Sequence, residues 1–245
     1  MTQPVSFPSF VTKDYLINNF SRMLGERKES SGHRYTHFVP KQATSFVTNV
    51  PAHDKTTYPI YECNCRDTMG RMYRECAIEN DLCDKVEQLF DKNKSLCLYS
   101  LGSGGCYEEL ATCVGLAKKG YGVKQIVLVD ELYTNGLQNL SVVHFSAFFK
   151  ILFPNAQIFA YANQSTYLDE IKNSSQTKPD IILCIDVEQS ALSFRKNDYS
   201  KMLGSNNNQA IFVYHNPKDP FDALIGEDTY VDVISGNDVM QDKNN

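Results

Sequence analysis

Leu96-Cys97-Leu98-Tyr99-Ser100-Leu101-Gly102-Ser103-Gly104-Gly105-Cys106-Tyr107-Glu108-Glu109-Leu110 is an apolar run that breaks into glycines and then into helix-forming sequence. A second apolar run, Gln125-Ile126-Val127-Leu128-Val129, ends in Asp130 and Glu131. Glycine has no Cβ, so a turn built from Gly102, Gly104 and Gly105 can take positive φ and let a ligand approach the backbone. A helix starting near Cys106 or Tyr107 would aim its first N–H groups and its positive dipole end at that ligand, favouring a negatively charged group. An acid closing the next strand suits a ribose diol. Together these features imply a site for a nucleoside-containing cofactor.

Outward from this stretch the alternation is regular. Leu96 to Leu101 reads as a strand, and Tyr107 to Lys119 as a helix with Leu110, Val114 and Ala117 on one face, stopped at Gly120 and Gly122. Strand Gln125 to Val129 precedes an apolar helix, Asn139 to Phe153, ended by Pro154. Then come strand Gln157 to Tyr161, a short helix from Ser165 to Lys172, and strand Asp180 to Asp186, which is almost wholly apolar, as when both sheet faces are covered. A helix over Ser193 to Leu203, strand Gln209 to Tyr214 and a short edge strand over Thr229 to Ile234 complete the series. Before it, Asp67 to Asp91 carries apolar residues at helical spacing, and residues 1–66 are punctuated by prolines around one helix near Lys13 to Leu24. The expected architecture is α/β, a three-layer sandwich around a mostly parallel, doubly wound, Rossmann-like sheet. Residues 67–235 form that domain, residues 1–66 an irregular or helical appendage or lid, and residues 236–245 a flexible tail.

With 245 residues, 42% of them hydrophobic, the chain can bury a substantial core. Its 24 basic and 29 acidic residues give a formal charge of −5, which argues against an extended nucleic-acid surface. No apolar run reaches the roughly 18 residues of a membrane span. The opening Met1 to Pro8 also lacks the order of a secretory signal, so a soluble, cytoplasmic protein is expected. Eight cysteines are present, and Cys97, Cys113 and Cys184 fall inside apparently buried elements, which favours free thiols over disulfides. Cys63, Cys65, Cys76 and Cys83 form no paired Cys-x-x-Cys arrangement, so no metal site is expected.

From Ser95 to Pro217 the order of strand, Leu101-Gly102-Ser103-Gly104-Gly105, helix, strand ending in Asp130, and later apolar strand ending in Asp186 resembles the class I S-adenosylmethionine-dependent methyltransferases. The resemblance implies S-adenosylmethionine as cofactor, with Gly102, Ser103 and Gly104 passing under its methionine part and Asp130 on the ribose. It implies Asn163, and after it Gln164, beside the adenine. Asp186, with Glu188 close by, would face the cofactor's amino acid portion and the substrate. The family pattern has an acid where Ser100 stands and a third glycine where Cys106 stands, and it usually ends in an antiparallel pair of strands. The methyl acceptor, a small molecule or a protein, is not legible.

Other readings of the same residues stand beside this one. The glycines can form a purely structural turn, Asp130 and Glu131 a solvated strand end, and Glu108 and Glu109 stabilisers of a helix's first turn. His215, closing the fifth strand, is a candidate general base, though histidines at strand ends are often only hydrogen-bonded structure. The Gly32 to Phe38 segment, with His33, Arg34 and His37, is a candidate substrate-contacting loop. An NAD(P)-dependent oxidoreductase would also use Gly102-x-Gly104 and Asp130, but its fingerprint wants glycine where Tyr107 stands. A non-catalytic module would keep the sheet as scaffold and present the N-terminal region to a protein partner.

Overall fold

A computed structural model describes residues 9–23, 28–30, 33–37, 61–64, 81–173, 178–185, 202–203, 209–216 and 228–235. The chain enters through helix α1 (Lys13–Met23) and strands β1 (Lys28–Ser30), β2 (His33–His37) and β3 (Tyr61–Asn64), which pair antiparallel as a three-stranded sheet. Helix α2 (Cys83–Leu89) then leads into β4 (Ser95–Leu101), α3 (Tyr107–Lys118), β5 (Gly122–Val129), α4 (Leu140–Leu152), β6 (Gln157–Tyr161), α5 (Gln164–Asn173), β7 (Ile181–Ile185), β8 (Gln209–Asn216) and β9 (Asp228–Ser235).

These last strands form a six-stranded sheet in the order β6-β5-β4-β7-β8-β9. All neighbours are parallel except β8 and β9, which pair antiparallel from Gln209↔Ser235 to Asn216↔Asp228. The chain winds outward from β4 to β6 and then crosses to β7 on the other side of β4. That reversal places a crevice beyond the carboxyl ends of β4 and β7, the usual ligand position in such sheets.

The period-two alternation of the strands divides the core. On one face Leu98, Ile126, Leu128, Leu183 and Val213 pack with Leu110 and Val114 of α3 and Phe145 and Phe149 of α4. On the other, Tyr99, Val127, Ile182, Cys184 and Phe212 pack with Tyr167 and Leu168 of α5 and with Met202 and Leu203. Both faces are covered, which explains why β7 reads as a continuous apolar run. Val11 and Leu16, from the stretch preceding the first sheet, are buried in the first of these clusters. Cys83, Cys97, Cys106, Cys113 and Cys184 are buried free thiols.

Ends of elements are set by local chemistry. Gly120, at φ 86°, stops α3 by letting the Tyr121 N–H reach the Leu116 carbonyl at 2.9 Å. Asn139 caps α4, its Oδ1 accepting from the N–H of Ser141 at 2.9 Å. At the sheet's N-terminal edge, Asp180 ties three strands. Its Oδ2 accepts from the Cys97 N–H at 2.8 Å, its own N–H donates to the Cys97 carbonyl and its carbonyl accepts from the Ile211 N–H. The helix expected from Asp67 is described only from Cys83, and the expected helix over 193–203 only at Met202 and Leu203; the remainder of both lies outside the described residues.

Candidate functional site

β4 delivers Gly102 to the carboxyl edge, where the chain turns over the end of β5. Gly102 takes φ 78° and Gly104 φ 45°, whereas Gly105 does not have positive φ. Cys106 does, at φ 60° and ψ 23°, the left-handed conformation that glycine adopts without strain. Cys106 stands where the family pattern has its third glycine, and it takes a backbone conformation open to glycine. Gly102 is exposed; Ser103 and Gly105 are buried, so the turn presents one side to solvent and the other to the protein.

Backbone donors of the turn itself are bonded within the protein. Gly102 N–H donates to the Val129 carbonyl at 2.8 Å, Ser103 N–H to the same oxygen at 3.3 Å, and Cys106 N–H to the Ser103 carbonyl at 2.7 Å. Gly104 N–H donates to Oδ2 of Asp130 at 2.8 Å. A phosphate at such a turn needs those N–H groups, and here the fold uses them. The Asp130 carboxylate therefore lies across the turn. Its Oδ1 accepts from the Leu132 N–H at 2.9 Å, and its backbone N–H donates to the Tyr161 carbonyl, joining β5 to the end of β6.

Beneath the turn is a buried polar layer that the sequence did not disclose. Glu109, at the third position of α3, is 2% exposed and accepts a 2.5 Å hydrogen bond on Oε1 from the Ser100 hydroxyl. Its Oε2 is buried with no hydrogen-bond partner among the described residues. Burial raises this carboxyl to about 7; the Ser100 hydroxyl and its own backbone N–H oppose the rise, and the charge of Asp130 adds to it. Glu108 is 7% exposed, so both acids of the first turn are buried. The acid missing at position 100 is supplied from position 109, one element later. A signal existed in the strand–turn–helix unit, whose geometry brings the first turn of the helix back against the end of its strand.

Tyr133 fills the protein side of the turn. Its buried hydroxyl donates to the Gly104 carbonyl at 2.8 Å and lies 3.0 Å from the Cys106 Sγ. Burial pushes both the Tyr133 phenol and the Cys106 thiol well above their ordinary values, with neighbouring Glu109 contributing to each. Cys106 therefore stays a thiol at neutral pH and is no nucleophile.

The remaining candidate residues are distributed as follows. Ser103 turns inward, its hydroxyl donating to the Ser100 carbonyl at 3.3 Å. Asn163 is exposed just beyond β6, and its Oδ1 accepts from the Thr166 N–H at 3.0 Å and from the Ser165 and Thr166 hydroxyls, which makes it the N-cap of α5. His215 pairs in register with Ile185 of β7 and Thr229 of β9, which puts its backbone at the carboxyl edge. Asp186 and Glu188 lie outside the described residues, as do Gly32, Phe38, Cys65 and Cys76. The fold thus brings Gly102, Ser103, Gly104 and Asp130 into one cluster, with Asn163 two strands away from β4. Among the described residues no group of three or more His, Cys, Asp or Glu is arranged to hold a metal ion, and no helix is long and apolar enough to cross a membrane.

The topology and this edge define a Rossmann-like α/β protein. No family model and no curated protein matches the sequence. Solved structures do match, among them the SAM Dependent Methyltransferase from Agrobacterium tumefaciens, at 9% identity over 81% of this chain with a TM-score of 0.39. The match covers 55% of that protein, so this chain spans little more than half its length; the likeness is a distant one of fold.

Proposed function

We propose that the protein is an S-adenosylmethionine-dependent methyltransferase that binds its cofactor against the outer side of the Gly102–Cys106 turn, with Asp130 accepting from the ribose hydroxyls. The observation that carries this reading is the internal use of the turn's N–H groups. A pyrophosphate or nucleoside triphosphate would find the N–H groups of Gly102, Ser103, Gly104 and Cys106 already taken. An adenosyl ligand without phosphate needs none of them: it requires close backbone approach and a carboxylate for its diol. Two backbone N–H bonds orient the Asp130 carboxylate, and a carboxylate offers about four lone-pair directions, so orientation does not exhaust its accepting capacity.

S-adenosylmethionine supplies an activated methyl group whose transfer is an in-line displacement at the sulfonium, so the protein's part is chiefly alignment. In this reading Gly102, Ser103 and Gly104 shape the cofactor's seat, and Asn163 borders the adenine while capping α5. His215 stands at the carboxyl edge of β8, and Asp186 follows β7 in sequence; in this reading either would serve as the base that takes the acceptor's proton if the acceptor carries one. The acceptor is a small molecule or a protein.

Calorimetry with S-adenosylhomocysteine tests the reading. Saturable binding is expected, and Asp130→Ala should weaken it by roughly 10- to 100-fold, the worth of about 1.5–3 kcal/mol for hydrogen bonds to a charged group. NADH should give no heat. Absence of S-adenosylhomocysteine binding, or binding indifferent to Asp130→Ala, would overturn the assignment.

A further inference from the structure

In the βα units between residues 95 and 185, Lys118, Lys119, Lys124, Lys150, Lys172 and Lys178 all stand at helix ends, near strand starts or in the connections between them. That is the sheet's N-terminal edge. At the carboxyl edge the same units place Glu108, Glu109, Asp130 and Glu131, and no described Lys or Arg of these units stands there. The positive dipole end of α3, which would otherwise favour an anion, is faced by two carboxyl groups of its own first turn. One of these, Glu109, has an oxygen that is buried and without a hydrogen-bond partner among the described residues, an arrangement that folding alone does not favour. The other oxygen is held by Ser100, two residues before Gly102, so Glu109 is braced directly against the strand end from which the turn springs.

We propose that Glu109 is a positioning residue that makes this turn select a positively charged ligand over its neutral counterpart. The inference rests on the S-adenosylmethionine reading given above and adds the discrimination of the sulfonium from the thioether product. Glu109 does not touch the ligand. It acts through Ser100 and the turn and through its field, which is weakly screened because the group is buried. The groups facing it are the Ser100 hydroxyl, the Asp130 carboxylate, the Cys106 and Cys113 thiols and the Tyr133 phenol. None of these is a cation. In the free protein near pH 6 the carboxyl therefore holds its proton. A cation arriving at the turn favours the ionised form, so binding releases that proton to the solvent and the carboxylate then balances the ligand's charge.

The test is calorimetric titration of S-adenosylmethionine and S-adenosylhomocysteine at pH 6 and pH 8, in buffers of different ionisation enthalpy, on wild type and Glu109→Gln. If the sulfonium lowers the Glu109 pKa by one unit, wild-type affinity for S-adenosylmethionine should rise about fivefold from pH 6 to pH 8, with net proton release. S-adenosylhomocysteine should show a smaller rise. Glu109→Gln should lose the extra pH dependence and narrow the ratio between the two ligands. Equal pH slopes and an unchanged ratio in the variant would overturn the role of Glu109 while leaving the methyltransferase reading intact. Should the variant fail to fold, zero proton release by the wild type overturns it equally. Failure of wild type to bind either ligand would instead overturn the reading beneath it.

Discussion

Replacing Glu109 by Gln should make the protein more stable at pH 8 and leave it nearly unchanged at pH 5. The folded carboxyl titrates near 7, whereas an unperturbed glutamate titrates near 4.5. Between those values the folded chain binds more protons than the unfolded chain, so stability falls as pH rises and the loss is complete just above 7. A difference of roughly 2.5 pKa units, at about 1.36 kcal/mol each, gives about 3 kcal/mol. Glutamine keeps the size of the neutral acid. It offers Ser100 a carbonyl to donate to, and it places an N–H where the protonated acid would place an O–H, at the Oε2 position that has no acceptor. The two neutral groups are therefore comparable at pH 5, within about 1 kcal/mol. At pH 8 only the wild type carries the buried charge. Urea unfolding followed by far-ultraviolet circular dichroism at pH 5, 6, 7 and 8 should show the two stabilities diverging by about 3 kcal/mol, or roughly 6–12 °C in Tm. Titrations elsewhere are common to both proteins and cancel. Parallel stability profiles across this range would refute the reasoning, because they would mean that Glu109 is solvated or paired in the folded protein.

Three further outcomes follow from particular bonds. Asp180→Ala removes the acceptor of the Cys97 N–H and the 2.6 Å ion pair with Lys94. It should lower unfolding stability by about 1.5–3 kcal/mol without changing ligand affinity at the opposite edge; a loss below about 0.5 kcal/mol in urea would contradict this. At Cys106, with φ 60°, substitution by Gly should be within about 1 kcal/mol of wild type, while the β-branched Val should lose about 3 kcal/mol or more; a tolerated Val would show the turn is not strained. Asn163→Ala should cost about 1 kcal/mol as a lost helix cap, and Asn163→Ser should restore it. If Asn163→Ser restores stability but not S-adenosylhomocysteine affinity, the side chain has a binding role beyond capping.

How much of this was legible in the sequence depends on the range of the forces involved. The five parallel strands were placed within a few residues because their apolar runs and glycine punctuation are local signals, and the stop of α3 at Gly120 follows from one backbone angle. The edge strand expected over Thr229 to Ile234 is β9, one residue longer at each end, and its antiparallel pairing runs along the whole of β8. Hidden from the sequence were the partners of the turn's donors. The sequence shows glycines before a helix. It does not show that the Val129 carbonyl, Asp130 and Ser103 take those donors first. Glu108 and Glu109 were placed in the first turn of a helix, where they stand, but their burial was not legible, because it is fixed by how α3 lies against β4.

The same turn shows why a degenerate motif need not mean a degraded site. Two positions depart from the glycine-rich pattern, Ser100 for an acid and Cys106 for a glycine, and each has a structural replacement nearby. Glu109 returns a carboxyl to Ser100 through its hydroxyl. Cys106 keeps the left-handed backbone, and Tyr133 steadies it from below through contacts with the Cys106 thiol and the Gly104 carbonyl. Strain at Cys106 and a buried acid at Glu109 both oppose folding, by about 1–2 kcal/mol for the left-handed cysteine and more for the ionised acid. Neither is needed to connect a strand to a helix, for which an ordinary turn suffices. A fold that carries both at one turn, at the crevice where its sheet changes direction, has its least stable chemistry where a ligand would sit. Under the proposal made above, that turn links the pH profile of unfolding to the pH profile of binding. The two measurements must report the same titrating group near 7.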